Sequence, residues 1–298
     1  MNFKTGFVAI IGRPNVGKST LINSLVGEKI TITSDKAQTT RNKIQCILTT
    51  KTSQIIFIDT PGIVKKANNK LGKLMQLSSS SAYEGVDIII FVVTPESFIG
   101  QMDSKIIQSL GNNKNVFLVI NKIDTISKGD LLKVIDIYSK NFNFKEIVPI
   151  SAINNQIYNL TQLIENNLKE GPLYFPTDTI TDQTERQVAS EIIREKLLRI
   201  LQQEIPHGIA VEILQMKKRN EKNIIDVFAI IYCERDSQKG IVIGKNGGTL
   251  KSILTKARHD IEILLDCKIY LQAKVKVKKN WRNDDILLKN LGYINNKS

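Results

Sequence analysis

The sequence predicts an α/β domain built on a six-stranded, mostly parallel sheet, followed by a smaller α+β domain. Three observations lead to this prediction. Short apolar runs alternate with longer amphipathic stretches over residues 1–170, which is typical of a parallel sheet covered by helices. A stretch rich in Pro, Gly, Thr and Asp interrupts this pattern at 171–183. Beyond it the elements follow the order α-β-β-α-β, so a different architecture begins there.

The elements of the first domain follow from these runs in order. Six apolar runs are interpreted as strands: 6–11, 42–50, 54–59, 87–93, 115–121 and 146–150. Five stretches have helical periodicity: 18–26, 71–83, 103–110, 128–140 and 157–168. Only a few residues separate the second and third strands, too few for a helical crossover, so we predict an antiparallel hairpin within the otherwise parallel sheet.

The second domain is predicted at 184–282, between a linker at 171–183 and a C-terminal tail at 283–298. Its predicted elements are a helix over 184–203, strands at 210–218 and 224–234, a helix over 250–265 and a strand over 268–279. The apolar run at 241–243, just before a glycine-rich turn, is interpreted as strand-like.

The composition is that of a globular chain, with 298 residues of which 42% are hydrophobic and 24% charged. The longest apolar run, 88–93, is far shorter than the roughly 18 residues of a membrane-spanning helix. The N-terminus lacks the pattern of a secretory signal, so we expect a cytoplasmic protein. Cys46, Cys233 and Cys267 lack the spacing of a disulfide framework or a zinc site, and we expect them to be buried or half-buried.

The formal net charge of +13 favours an anionic partner, such as nucleic acid or an acidic lipid surface. The segment 240–282 concentrates this charge, because it holds ten Lys and Arg residues against three acidic ones.

Residues 12–19, GRPNVGKS, fit the phosphate-binding pattern GxxxxGK[ST] between a predicted strand and a predicted helix. The glycines let backbone N–H groups converge on phosphate oxygens, Lys18 meets the β/γ charge, and Ser19 offers a hydroxyl to Mg²⁺. The predicted nucleotide contacts of this P-loop are Gly12, Arg13, Pro14, Asn15, Val16, Gly17, Lys18, Ser19 and Thr20.

A second motif, DTPG at 59–62, ends the third predicted strand. Because the carboxyl end of a strand delivers side chains into the crevice above the sheet, we predict that Asp59 helps to hold Mg²⁺ and that the Gly62 N–H meets the γ-phosphate. Thr60, Pro61 and Ile63 complete the predicted nucleotide contacts here. In the polar, glycine-free loop 31–42, between the P-loop and this motif, Thr40 is predicted to close on Mg²⁺ and the γ-phosphate.

A third motif, NKID at 121–124, ends a further strand and selects the base. The Asp124 carboxylate can accept from both the N1–H and the exocyclic amine of guanine, a donor pair that adenine lacks. Asn121 and Lys122 are predicted to brace this loop and to cover the base. Ser151 and Ala152, after the last strand, are predicted to offer a backbone N–H to the guanine oxygen. The motifs therefore predict a GTP site and disfavour a P-loop kinase or ATPase.

On these motifs the chain resembles the translation-factor-related GTPases and, specifically, the Era family. The resemblance implies Mg²⁺-dependent hydrolysis of GTP to GDP, with Lys18, Thr40 and Gly62 as the catalytic residues. Ile63 stands where Ras-type enzymes carry a water-orienting glutamine, so we predict slow intrinsic turnover. Asn15 in the P-loop suggests, as a hypothesis, that K⁺ binds near the phosphates.

The sequence Gly244-Lys245-Asn246-Gly247 is a GxxG motif before a predicted amphipathic helix. Two glycines let the backbone approach a sugar-phosphate chain, Lys245 supplies charge, and the adjacent helix and strand form a groove for unstacked bases. With the local positive charge and the order of elements, this motif predicts a KH domain of the second topological type. The predicted RNA contacts are Gly244, Lys245, Asn246, Gly247 and Lys251.

The resemblance to Era runs through almost the whole chain, including 175–198, 211–218, 240–251 and 275–293. It implies binding to the 3′ end of 16S rRNA, a role in maturation of the small (30S) ribosomal subunit, and peripheral association with the inner face of the cell membrane. We expect a monomer, since nothing in the sequence calls for a dimer.

An alternative from another class is a membrane-associated signalling GTPase whose basic surface contacts anionic lipid. That alternative predicts a basic amphipathic helix. The basic residues here lie on the GxxG loop and on an alternating strand, which favours RNA.

Overall fold

The computed structural model describes residues 2–34, 39–61, 69–80, 85–113, 115–201, 208–219 and 223–294. The chain divides into two compact units. Of the described residues, those within 2–31, 42–61 and 76–182 form the first unit, and those within 32–41, 69–75 and 183–294 form the second.

The first unit is built on a sheet of seven strands. They are β1 (Lys4–Ile11), β2 (Ile44–Thr49), β3 (Ser53–Asp59), β4 (Ile88–Val93), β5 (Val116–Ile120), β6 (Glu146–Pro149) and β7 (Lys169–Glu170). The order is β2-β3-β1-β4-β5-β6, with β7 paired to β1. The central pairs are parallel, and the predicted antiparallel hairpin between β2 and β3 is confirmed.

The helices that precede residue 182 are α1 (Lys18–Val26), α2 (Lys70–Ser80), α3 (Gln101–Leu110), α4 (Lys128–Ser139) and α5 (Leu160–Asn167). The sheet has a hydrophobic core on each face, because successive side chains of a buried strand point to opposite faces. Val8 packs with residues of α1 and α5 on one face, and Ala9 packs with residues of α3 and α4 on the other. The predicted α/β class is confirmed.

The sequence predicted six strands, and β7 is the addition. It pairs antiparallel with β1 through Lys169 and Glu170 opposite Thr5 and Lys4. Two exposed charged residues carry no apolar alternation, so local pattern gave no signal for this strand.

The second unit contains α6 (Glu185–Ile200), β8 (Ala210–Lys218), β9 (Ile224–Cys233), α7 (Asp236–Ile243), α8 (Gly248–Leu265), β10 (Lys268–Val277) and α9 (Asp285–Asn290). Its sheet has the order β10-β9-β8, with β9 antiparallel to β8 and parallel to β10. A single core joins the inner side of this sheet to α6 and α8.

One prediction for the second unit was wrong. The run at 241–243, interpreted as strand-like, is the last turn of α7. Val242 is fully buried there, so packing overrides the strand preference of β-branched residues. The predicted tail contains α9, whose first turn is capped by the Asp284 carboxylate accepting from the Leu287 N–H at 2.9 Å. Leu287 and Leu288 are buried, which fixes this short helix.

The predicted linker belongs to the first unit as far as residue 182. The buried side chain of Gln54 accepts from the backbone N–H groups of Tyr174 and Phe175 and donates to the Phe175 carbonyl at 2.9 Å. The Ile47 N–H donates to the Ile180 carbonyl, also at 2.9 Å. Although its composition is typical of a linker, this segment is ordered and lies along β2 and β3. The boundary between the two units falls at its C-terminal end, after residue 182.

Cys46 and Cys233 are buried and Cys267 is half-buried, as predicted. Burial raises the pKa of the Cys233 thiol to about 11, so this side chain stays protonated at neutral pH. Among the helices of the described ranges, none combines the length and the apolar character needed to cross a membrane.

Candidate nucleotide site and GxxG loop

The P-loop connects β1 to α1, and its conformation requires the two glycines of the motif. Gly12 has φ +151° and Gly17 has φ +98°. A Cβ on Gly12 would lie 2.4 Å from the Val92 carbonyl oxygen, and one on Gly17 would lie 2.3 Å from Nδ2 of Asn121. Both contacts are far inside van der Waals distance, so the fold leaves room for hydrogen alone.

Lys18 begins α1 and is buried under this loop. Its Nζ donates to the carbonyls of Gly12 and Arg13, both at 3.0 Å. Burial lowers the pKa of Lys18 to about 8, and the Asp59 carboxylate offsets part of this effect. The ammonium is therefore charged at pH 7 and stands where the motif requires a cation for phosphates.

The structure brings together two of the three predicted metal ligands. The Ser19 hydroxyl donates to Oδ2 of Asp59 at 3.2 Å, and Asp59 is fully buried at the end of β3. Hydroxyl and carboxylate oxygens are ligands that Mg²⁺ prefers, so this donor set fits the ion. Thr60 and Pro61 follow as buried residues, whereas Gly62 and Ile63 lie outside the described residues.

Thr40, the third predicted ligand, is buried and belongs to the second unit. Within that unit its loop is held by α6: Arg194 donates to the Thr39 carbonyl, and Arg199 Nη2 donates to the Thr33 hydroxyl at 2.9 Å. The metal role of Thr40 stays a prediction.

Asn121 ties the P-loop to the predicted guanine loop. Its Nδ2 donates to the Val16 carbonyl at 2.8 Å, and its Oδ1 accepts from the Ala152 N–H at 3.0 Å. Lys122 adds a second tie, because its Nζ donates to the Asn15 carbonyl at 2.9 Å. These contacts hold the two loops in one arrangement. The role of Asn121 and Lys122 at a bound base stays a prediction.

Asp124 is exposed, and the Ser151 hydroxyl donates to its carboxylate. This hydrogen bond orients an acceptor toward solvent, as recognition of guanine requires. The two backbone N–H groups predicted for the guanine oxygen have protein acceptors in this structure: that of Ser151 donates to the Gln156 carbonyl at 3.0 Å, and that of Ala152 donates to Asn121.

The contacts of the Arg13 side chain were not predicted from the sequence. It donates to Thr94 and Glu96, and its Nε lies 3.3 Å from Oδ2 of Asp103, a fully buried carboxylate. Tyr138 also donates to Asp103, at 3.3 Å. Arg13 therefore braces the P-loop against the loop after β4 and against α3. No local pattern marks Glu96 or Asp103, because they lie more than 80 residues away along the chain.

The GxxG loop is a short 3-10 turn between α7 and α8. Gly244, Asn246 and Gly247 all have positive φ, at +73°, +52° and +76°. A Cβ on Gly244 would lie 2.1 Å from Oγ1 of Thr249, so this glycine is required by close packing. Lys245 and Asn246 are exposed at the turn, and Lys251 is exposed on the first turn of α8. Gly244 and Gly247 are half-buried in the same turn. The RNA-binding role of these five residues stays a prediction.

Comparison with known proteins assigns both units. A family profile described as a 50S ribosome-binding GTPase matches residues 7–122, and a KH domain profile matches residues 204–282. The GTPase Era of Clostridioides difficile strain 630 is 55% identical over 294 residues, which cover 98% of this chain and 99% of that protein. The chain belongs to the GTPase Era family. GTPase Era of Clostridium kluyveri is 52% identical over 292 residues, covering 97% and 99%.

Solved Era structures agree over the full length. An Era complex with MgGDPNP and nucleotides 1506–1542 of 16S ribosomal RNA superposes with a TM-score of 0.92 at 39% identity, covering 98% of this chain and 100% of that one. A substituted Aquifex aeolicus Era bound to GDP and AlF4⁻ matches with the same figures. Membership of the Era family confirms the predicted resemblance, the P-loop GTPase domain and the KH domain, and it makes the chain a GTP-hydrolysing enzyme.

Proposed function

We propose that this chain is a Mg²⁺-dependent GTPase that binds the 3′ region of 16S rRNA through its KH domain and acts in maturation of the 30S subunit. The observation that carries the proposal is the presence, in one Era-family chain, of a braced guanine loop and an exposed GxxG loop. The related Era crystallised with a GTP analogue and an rRNA fragment supports the same pairing of ligands.

Each residue of the nucleotide site has a distinct role in this proposal. Lys18 neutralises the β/γ-phosphate charge, and P-loop N–H groups bind the phosphate oxygens. Ser19 and Asp59 hold Mg²⁺, which when bound neutralises charge that develops on the phosphates. Asp124 recognises the guanine base, and Asn121 holds the guanine loop in position relative to the P-loop. These contacts supply binding and orientation, the larger part of what phosphoryl transfer needs from a protein.

Orientation of the attacking water is the weakest contribution of this site to catalysis. The side chain of Ile63 has no hydrogen-bonding group, so it cannot orient a water molecule as a glutamine side chain would. We therefore propose slow intrinsic turnover, with Thr40 and the Gly62 N–H completing the γ-phosphate contacts when the loops close. The K⁺ hypothesis for Asn15 is tested by hydrolysis rates in K⁺ and Na⁺ buffers of equal ionic strength, and equal rates would contradict it.

The RNA-binding part rests on the GxxG surface. The turn has positive φ at Gly244 and Gly247 and lacks a Cβ at both, so a sugar-phosphate chain can approach its backbone closely, while the exposed Lys245 and Lys251 supply charge beside it. Exposed cations lie on this turn and on β10, but also on α8, at Lys251, Lys256 and Arg258. The GxxG turn itself, rather than the distribution of charge, therefore favours RNA over the signalling GTPase at a lipid surface. Peripheral membrane association, cytoplasmic location and a monomeric state stay predictions.

The base assignment is tested by Asp124→Asn. An amide donates where the carboxylate accepts, so preference should move from guanine to xanthine nucleotides. Binding of both triphosphates by calorimetry measures this, and an unchanged preference for GTP would contradict the assignment.

The RNA assignment is tested by UV crosslinking in cell lysate, with the protein loaded either with a GTP analogue or with GDP. We expect reads concentrated at the 3′ end of small-subunit rRNA and enriched in the triphosphate form. Diffuse reads that ignore the nucleotide would overturn the proposal, because they would show that the basic surface acts only as general charge.

A further inference from the structure

The sheet of the second unit has a face that the GxxG loop does not use. Successive side chains of β10 alternate: Ile269, Leu271 and Val275 pack on the core, and Tyr270 and Lys274 point to the opposite, exposed side. We call this side the outer sheet face. The residues of this face that carry the argument are Arg219, Phe228, Tyr232, Tyr270, Lys274 and Lys276.

Aromatic rings and cations are interleaved across this face. Arg219 lies 5.3 Å from the ring centroid of Tyr270, and Lys274 Nζ lies 5.7 Å from that of Phe228. Lys276 stands opposite Tyr232 in the parallel pairing of β10 with β9. Half of Tyr270 is exposed, so a planar group can stack on it. Aromatic rings beside positive charge are the combination that binds unpaired bases and their phosphates.

The charge balance of the outer sheet face suits a polyanion. On the described strands of this face, the carboxylates of Asp226 and Glu212 are already engaged, because Asp226 accepts from Arg219 at 2.9 and 3.0 Å and Glu212 accepts from the Tyr232 hydroxyl at 2.7 Å. Over the part of the chain that the structure describes, neither Lys274 nor Lys276 has an acidic ion-pair partner. These two lysines are therefore available to phosphates.

The same strand also borders the GxxG side of the domain. β10 is an edge strand, α7 packs on it, and Gly244 directly follows α7. β10 therefore lies beside the helix that leads into the GxxG loop, and the same strand carries Tyr270, Lys274 and Lys276 of the outer sheet face. A GxxG loop clamps about four nucleotides, whereas the RNA crystallised with the related Era spans nucleotides 1506–1542.

We propose that the outer sheet face is a second RNA surface, on which Tyr270 stacks an unpaired base and Lys274 and Lys276 bind phosphates of the strand that continues from the GxxG loop. This inference rests on the proposed RNA-binding function and extends it. Aromatic residues among the lysines favour single-stranded RNA over a lipid headgroup or a duplex, because only unpaired bases present a face for stacking.

The experiment uses the full chain with a GTP analogue and Mg²⁺, and two labelled RNAs whose binding is followed by fluorescence anisotropy. The long RNA has the sequence of nucleotides 1506–1542 of 16S rRNA, and the short one is its tightest-binding fragment of about six nucleotides, a length set by the GxxG clamp. Tyr270→Ala should lower the affinity for the long RNA roughly fivefold to hundredfold, the range expected for loss of one stacked base. It should leave the short RNA within about twofold, and Tyr270→Phe should restore binding of the long one.

A charge variant tests the same surface independently. Lys274→Ala with Lys276→Ala should reduce the slope of log Kd against log salt by about 1.4 for the long RNA, since each single-strand phosphate contact contributes about 0.7. The matched control is Lys133→Ala with Lys140→Ala, two exposed lysines of α4 that should leave the slope unchanged.

The outcomes separate the two proposals. Lys245→Glu should weaken both RNAs, and if it affects neither, the proposed KH function fails. If Lys245→Glu acts as expected while the Tyr270 and lysine variants bind the long RNA normally, the outer sheet face is not an RNA surface. Equal losses on both RNAs for a folded Tyr270→Ala would also overturn the inference, because the face would then act on the GxxG site itself.

Discussion

The P-loop and the GxxG loop are both glycine-containing turns that lead into the N-terminus of a helix, yet the protein around them differs. The P-loop is enclosed: Lys18 is buried, and Asn121 and Lys122 reach across to fix its carbonyls. The GxxG loop is open, with Lys245 and Asn246 in solvent. An enclosed turn suits a compact triphosphate with a metal ion, while an open turn suits a polymer that must enter and leave along its length.

The largest expected effect is on the enclosed turn. Lys18→Ala removes the buried cation and its charge-assisted contacts to phosphate, each worth about 1.5–3 kcal/mol, so GTP affinity should fall at least a hundredfold. Isothermal calorimetry measures this, with Lys133→Ala as the exposed control. Lys245→Ala on the open turn should leave GTP affinity unchanged. A loss of GTP binding there would break the comparison.

Replacing one glycine of each turn by alanine should lower the free energy of unfolding by different amounts. In Gly17→Ala the new Cβ meets Asn121 at 2.3 Å, and Asn121 is fixed by its own hydrogen bonds, so we expect a cost of about 2–4 kcal/mol. Around Gly247 nothing lies within 4 Å, so only positive-φ strain of about 1 kcal/mol applies. Urea unfolding measures both. Equal costs would show that backbone strain, rather than enclosure, sets the requirement for glycine.

Salt should distinguish the two ligands. RNA held by about four phosphate contacts should lose roughly fiftyfold in affinity between 50 and 200 mM salt. GTP in its enclosed site should change far less, because buried charges are poorly screened. Titrations of both ligands across this range check the expectation. An equally steep salt dependence for GTP would mean that its site is as open as the GxxG loop.

The smallest effect concerns pH. Burial lowers the pKa of Lys18 to about 8 in the free protein, and phosphate favours the charged form. GTP affinity is therefore at its maximum well below pH 8 and falls as the pH rises past 8. The expected decrease between pH 7 and pH 8.5 is about fourfold. Lys18→Arg keeps its charge and should bind with no pH dependence over this interval. A flat profile for the unsubstituted chain would contradict the burial effect.

The motifs could be located from the sequence because their requirements are local. The positive φ of Gly12 and Gly17 belongs to the local backbone path, although the atoms that a Cβ would meet there, on Val92 and Asn121, lie far along the chain. Asp59 and Asn121 stand at strand ends, and Gly244 is needed by one turn. Such features depend on residues near in sequence and on the direction of parallel strands, which the alternation of apolar runs already indicates. The sequence by itself therefore determined the two-domain organisation, the positions of the phosphate and guanine loops, and the GxxG turn.

Contacts between distant segments decided the rest. Arg13 turns to Glu96 and Asp103, 241–243 becomes helix because Val242 is buried, and the loop of Thr40 packs on α6 within the second unit. The interleaving of Tyr270 with cations likewise requires three strands in register. The free energy of each arrangement comes from burial and pairing between residues far apart in the chain, so no local pattern carries it and only the tertiary structure fixes it.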